Sequence, residues 1–167
     1  MKNIISILCM SVFLVSCSEE REVTTLQDRN GLMYQSNQEK PFNGTFVEYS
    51  VYGQEKKRAE ENYKNGKKDG LSILWTRTGE KASEAIYKDG KQNGRETVWY
   101  KNGQKAAEGS YQDDKRNGLW TEWYTNGLKW KEGHYKNGKK DGLWTAWDEV
   151  GGIAKKETFN KASIAKE

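Results

Sequence analysis

Cysteine, histidine and proline are almost missing: the 167 residues hold two Cys, one His and one Pro. Both cysteines, Cys9 and Cys17, fall in the first 17 residues, so the rest of the chain has no thiol for a disulfide framework. A single histidine, His134, with no second His or Cys near it, provides no zinc set and no Cys/His or Ser/His/Asp nucleophile. One proline leaves no Pro-rich linker. The many glycines never form the G-x-x-x-x-G-K-[ST] loop that cradles phosphates, so nucleotide binding has no support. Apolar runs are also missing after Val15; the one run, Ile4 to Val15, is shorter than the roughly 20 residues a spanning helix needs. Charge of one sign is scarce: 28 basic against 24 acidic residues give +4, too little to imply nucleic acid. No catalytic constellation and no cofactor are expected.

Aromatic rings, in contrast, are plentiful. Hydrophobic residues reach only 34% and charged residues 31%, with a mean hydropathy of -1.05, values that alone suggest disorder. Seven Trp and nine Tyr argue otherwise, because disordered segments are poor in aromatics. The expectation is one folded domain with a thin, aromatic core.

The N-terminus reads as a processing segment. Met1-Lys2-Asn3 is a short positive head, followed by the apolar run and then Leu14-Val15-Ser16-Cys17. That tetrapeptide resembles the lipobox of bacterial lipoproteins. The resemblance implies a signal peptide over 1–16, acylation of Cys17, and a mature chain that begins there. Cys9 would leave with the signal and Cys17 would be blocked by lipid. Ser18, where an Asp would mark retention, implies the outer membrane. Residues 17–23 would then be an acylated tether that lifts the folded domain off the membrane.

A repeat organises the remainder of the chain. Gly70, Gly94, Gly118 and Gly142 each follow Asp or Asn and lie 24 residues apart, with Gly44 opening an earlier unit that is two residues longer. Five positions on stands an aromatic each time: Tyr49, Trp75, Trp99, Trp123, Trp147. Nine on stands a glycine, and seventeen on come Tyr87, Tyr111, Tyr135 and Phe159, with Tyr63 in that role in the first unit. Each unit has two stretches of strand-forming residues. Asn102-Gly103 and Asn126-Gly127 suit two-residue hairpin turns with positive φ at both central residues. The second turn, such as Lys136 to Gly142, reads as longer and basic. These features predict an all-β fold, an antiparallel β-hairpin repeat array: an elongated meander of about five 24-residue units over 24–160, advancing about 10 Å per unit. An atypical N-terminal half-repeat over 24–43 and a tail over 161–167 would flank it.

Strand alternation divides each unit into two faces. Positions one, three and five after the glycine (Leu119, Thr121 and Trp123) are expected to pack. Positions two, four and six, with Trp120, Trp144, Tyr100 and Tyr124, are expected to face a partner, since Trp and Tyr dominate interface hot spots. Trp130 stands out because Ala82, Ala106 and Ala154 hold its place elsewhere. The basic turn series Lys64/Lys67/Lys68, Lys88/Lys91, Lys115/Arg116 and Lys136/Lys139/Lys140 is interleaved with Asp69, Asp89, Asp113, Asp114 and Asp141. It reads as solvated turns, with anionic lipid as the sharper alternative. Glu84, Glu108 and Glu132 read as solvated strand charges, and His134 as a surface residue.

The run Y-K-N-G-K-K-D-G-L-W-x-x-W-Y-x-N-G-x-K-x-x-E-G-x-Y, nearly whole over 111–142, resembles the MORN repeat in its bacterial secreted and lipid-anchored variant. Departures are Asp114 in place of a turn glycine, Arg95 in place of an apolar residue, and a degraded last unit. The resemblance implies an elongated β array used for binding or scaffolding. Eukaryotic members are linked to anionic lipids, and many bacterial ones carry an antitoxin label. The expectation is therefore a non-enzymatic, membrane-anchored scaffold at the bacterial envelope that binds a protein. The alternatives are a toxin neutraliser and a binder of anionic lipid or glycan. An enzyme acting on glycan would require paired essential carboxylates.

Overall fold

The structure is a computed structural model that describes residues 25–49 and 56–159. The expected signal segment, Cys17, its tether and the 161–167 tail lie outside the described residues.

Thirteen strands occur among them: β1 (Leu26–Arg29), β2 (Leu32–Gln35), β3 (Gly44–Tyr49), β4 (Lys57–Lys64), β5 (Lys67–Trp75), β6 (Lys81–Lys88), β7 (Lys91–Trp99), β8 (Lys105–Gln112), β9 (Lys115–Arg116), β10 (Gly118–Trp123), β11 (Lys129–Lys136), β12 (Lys139–Trp147) and β13 (Ile153–Phe159). From β3 to β13 they form one antiparallel sheet in sequence order, with the short β9 pairing back on β8. This is the expected meander. A lone hairpin is marginal in water, so each unit depends on its neighbours for stability.

The turns exchange the roles expected of them. The tight two-residue turns are the second ones: Asn65-Gly66, Asp89-Gly90, Asp113-Asp114 and Asn137-Gly138 have positive φ at both positions. Asp114 accepts this conformation at φ 64, and its carboxylate is also anchored, accepting the Gln92 N–H at 2.7 Å. The turns at Asn102-Gly103 and Asn126-Gly127 are longer, each closed by two backbone bonds such as Tyr124 N–H to Leu128 O at 2.8 Å. There only the glycine has positive φ. The asparagine instead accepts the N–H two residues on and donates to the next unit's turn: Asn126 Nδ2 reaches Glu149 O at 2.9 Å. The sequence pair Asn-Gly does not distinguish the two turn types. A shift in strand pairing beside each long turn decides between them, since Glu122 pairs Lys131 while Trp123 pairs Lys129, leaving Trp130 as the extra residue.

Turns also bond along the array, as Gly90 N–H to Lys68 O and Gly138 N–H to Arg116 O show. At the N-terminal end the β1–β2 hairpin stands outside the main sheet. It is fastened by Met33 N–H to Gly66 O, Gly66 N–H to Phe42 O, and the Phe42 ring against Tyr63 at 5.9 Å.

The expected face packs only in part, and the opposite one packs as well. Leu119 is 49% exposed and Leu143 53%, whereas Trp120 is 2% and Trp144 5% exposed. The strongest packing lies on the face of position two, with Tyr63, Ala59, Ala85, Trp120 and Trp144. The opposite, leucine-bearing face is closed only at position three, by Val47, Thr97 and Thr121. The reason is size compensation across strands. Gly109 and Gly133 lie beneath the indoles, where a Cβ would come within 1.9 Å of Trp120 and 2.3 Å of Trp144. Bare glycine backbone lets each ring lie flat on the sheet, so the largest side chains bury without a second layer.

Candidate functional site

The aromatic face is a ladder of rings and cations. Tyr111 meets Trp120 edge-on at 5.6 Å, Trp120 meets Tyr135 at 6.2 Å, and Tyr135 meets Trp144 at 5.0 Å. Two places after three of the tight turns a cation, Lys68, Arg116 or Lys140, lies over a ring. The Arg116 guanidinium lies 3.9 Å from the Trp120 centroid and donates to the Tyr135 hydroxyl at 3.2 Å. Burial pushes the Tyr111 phenol up, partly offset by its bond from Arg116. Lys68 occupies the same place near Tyr87 and donates to Glu61, which also accepts the Tyr63 hydroxyl at 2.8 Å. Burial first, then that bond, raises the Tyr63 pKa.

Of the proposed partner-facing residues, Trp120 and Trp144 belong to this packed ladder and offer almost no surface. That corrects the expected face. Their indole N–H groups are also satisfied internally, by Glu122 at 3.2 Å and the His134 carbonyl at 3.1 Å. Tyr100 and Tyr124 are half-buried and tie units together, their hydroxyls donating to the carbonyls of Trp123 at 2.7 Å and Trp147 at 2.9 Å. Cys17 is outside the described residues.

On the leucine face, Lys81, Lys105 and Lys129 each lie over the next unit's Trp99, Trp123 or Trp147. The same lysines pair with Glu84, Glu108 and Glu132. The recurring carboxylates are thus one half of an ion-pair ladder. Burial would raise Glu132, but bonds from Lys129 and Thr121 outweigh it and hold the carboxyl below its ordinary range. Among the described residues no three His, Cys, Asp or Glu side chains gather for a metal ion. His134 is exposed and pairs in register with Leu119 and Asp141.

The edge formed by the long turns changes character along the array. Position eight runs Thr78, Asn102, Asn126, then Val150; position ten runs Glu80, Gln104, then Leu128; position eleven runs Lys81, Lys105, Lys129, then Ile153. With Trp130 at position twelve, the last two units expose Leu128, Trp130, Val150 and Ile153, Val150 at 87%. Leu128 lies against the Gly151 turn, and Trp130 leans on Tyr124 at 6.0 Å with Lys131 3.8 Å above its ring. Of the four, Trp130 alone stands out by sequence; the other three emerge only when the long turns are aligned unit by unit.

Among the described residues, one main open sheet built from stacked hairpins, with the β1–β2 hairpin beside it, defines a β-repeat array. The family model described as "MORN repeat variant" matches residues 92–113 and 116–137, so these two segments are MORN repeats of the variant type. No curated protein matches. A solved structure described as "Crystal structure of GtfA/B complex bound to UDP and GlcNAc" is similar over 80% of this chain, at 9% identity and a TM-score of 0.26. That likeness carries no argument, and the chain spans 23% of that protein's length.

Proposed function

We propose that the chain is a non-enzymatic scaffold, anchored through lipid on Cys17 at the bacterial envelope, that docks a protein along the long-turn edge of its last two units. The observation that carries this reading is the replacement of polar repeat residues by Leu128, Val150 and Ile153, and of alanine by Trp130, at one edge. Exposed apolar side chains clustered against a polar repeat background mark an interaction site. Trp130, stacked on Tyr124, is the anchor such surfaces favour. Lipid anchoring rests on the Leu14-Val15-Ser16-Cys17 pattern.

The test is photo-crosslinking in living cells from a reactive side chain at position 128 or 150, with position 67 as the control. One protein captured at both edge positions, absent from the control and lost in the variant Trp130→Ala/Ile153→Lys, is the expected result. Its identity then separates an adaptor from a toxin neutraliser. Capture of nothing, or of the same set from position 67, would contradict the reading.

A further inference from the structure

We infer that the hollow on the aromatic face between β11, β12 and β13 binds a phosphate monoester group. The array contains its own control. Two places after each tight turn stand Lys68, Gln92, Arg116 and Lys140, one per unit, and the three cations among them lie over rings. Lys68 is neutralised by Glu61 at 2.5 Å, and Arg116 donates to the hydroxyls of Tyr111 and Tyr135. Lys140 lies 4.4 Å from the Trp144 ring and 4.9 Å from the Phe159 ring, with no ion pair or hydrogen bond among the described residues.

Two changes in the last unit remove acceptors. Phe159 stands where the other units have tyrosine, so the hydroxyl is gone. Ala146 stands where the preceding unit has Glu122, whose carboxylate takes the Trp120 N–H. The last two units also place Lys131 and Lys155 where earlier ones have Ala59, Ser83 and Ala107. Both lysines pair in register with Ala146, one from each side. Lys131 lies against the Trp130 ring, and Lys155 pairs with Glu157 at 3.2 Å. Three ammonium groups and one carboxylate thus line a cavity of about 250 Å³, backed by Trp144 and Ala146. The surplus of two positive charges matches a phosphate monoester, which carries about −1.5 to −2 at neutral pH. The aromatic and alanine walls suit the small organic group it esterifies.

Such a group is carried by soluble metabolites and by lipids, and the test separates them. The full chain carrying Cys17→Ser, so that no attached lipid can insert into a bilayer, is titrated with glycerol 3-phosphate and, separately, with phosphatidate vesicles against phosphatidylcholine vesicles. Binding is followed through the Trp144 indole N–H resonance for the small molecule and by co-sedimentation for the vesicles. Saturable binding to either probe is expected, weakened about tenfold by Lys140→Met, the scale of one lost charge-assisted bond. Ala146→Glu, which restores the acceptor of the unit before, should abolish binding while keeping the lysines. Lys64→Met, away from the hollow, should leave it unchanged. Glycerol 3-phosphate binding assigns a soluble ligand; phosphatidate binding alone assigns a lipid. Binding to neither, or binding unaltered in Ala146→Glu, would overturn the inference. Val150→Ser, on the proposed protein edge, should not change the titration, so the two sites can fail separately.

Discussion

Ser72 sits beside Glu61 and Glu96 beside Ala85 across neighbouring strands, whereas Trp120 lies over Gly109 and Trp144 over Gly133. At the N-terminal end the buried space goes to a polar network, Tyr63–Glu61–Lys68, closed by the Phe42 ring. Toward the C-terminus it goes to an alternation of Trp, Tyr and cation. One backbone register therefore accepts two ways of covering the same face. What recurs is a larger side chain set against a smaller one across position two and position fifteen of the unit before, with the smallest partner, glycine, under the largest ring. The polar solution depends on three groups remaining together, while the aromatic one depends on van der Waals contact.

Trp120→Ala strikes this contrast hardest. It removes the contacts to Tyr111, Tyr135 and Arg116 and should cost about 3–5 kcal/mol in denaturant unfolding. Ser72→Ala, at the equivalent place, should cost under about 1 kcal/mol. A partner-facing Trp120 would instead leave the unfolding midpoint unmoved. Next, Gly133→Ala pushes a Cβ to 2.3 Å from Trp144, and overpacking of this kind should cost about 1–3 kcal/mol. Arg116→Gln then makes the unit resemble its neighbour at Gln92, whose Nε2 is buried without a partner. Losing the ring contact and the two tyrosine bonds should cost about 1–2 kcal/mol.

The smallest effect is electrostatic. Bonds from the Thr76 and Thr78 hydroxyls lower the Glu80 carboxyl to about 2. Because the folded value lies below the unfolded one, near 4.3, this turn's contribution is present above that range. It is lost as pH falls through about 2. Carboxyl NMR should show Glu80 titrating near there, and a midpoint in the ordinary glutamate range would contradict the geometry.

The meander is legible in the sequence because its signals are local and repeated: alternating strand residues and a glycine at a fixed interval. The packed face is not. Alternation states which residues share a side but not which side packs, and Leu119 beside Thr121 makes the more apolar set. Gly109 and Gly133 hold the answer, since glycine within a strand signals close approach of something large. Neither belongs to the glycines that mark the turns, so the period alone gives them no meaning. Turn type is hidden for a similar reason: the Asn-Gly pair suits both turns, and only the pairing shift beside the long one separates them. At the candidate site, Trp130 is visible as a departure from Ala82, Ala106 and Ala154. The lysine surplus around Trp144 needs three strands brought together in space.

The central claim, that the array is held by size exchange beneath the aromatic ladder, is tested most directly by combining Gly109→Ala with Trp120→Glu. Gly109→Ala alone should destabilise, because its Cβ would meet Trp120 at 1.9 Å. In the Trp120→Glu background the same change recreates the Ala85–Glu96 pairing and should be neutral or stabilising, a coupling of about 1–3 kcal/mol. An equal penalty for Gly109→Ala in both backgrounds would contradict the account.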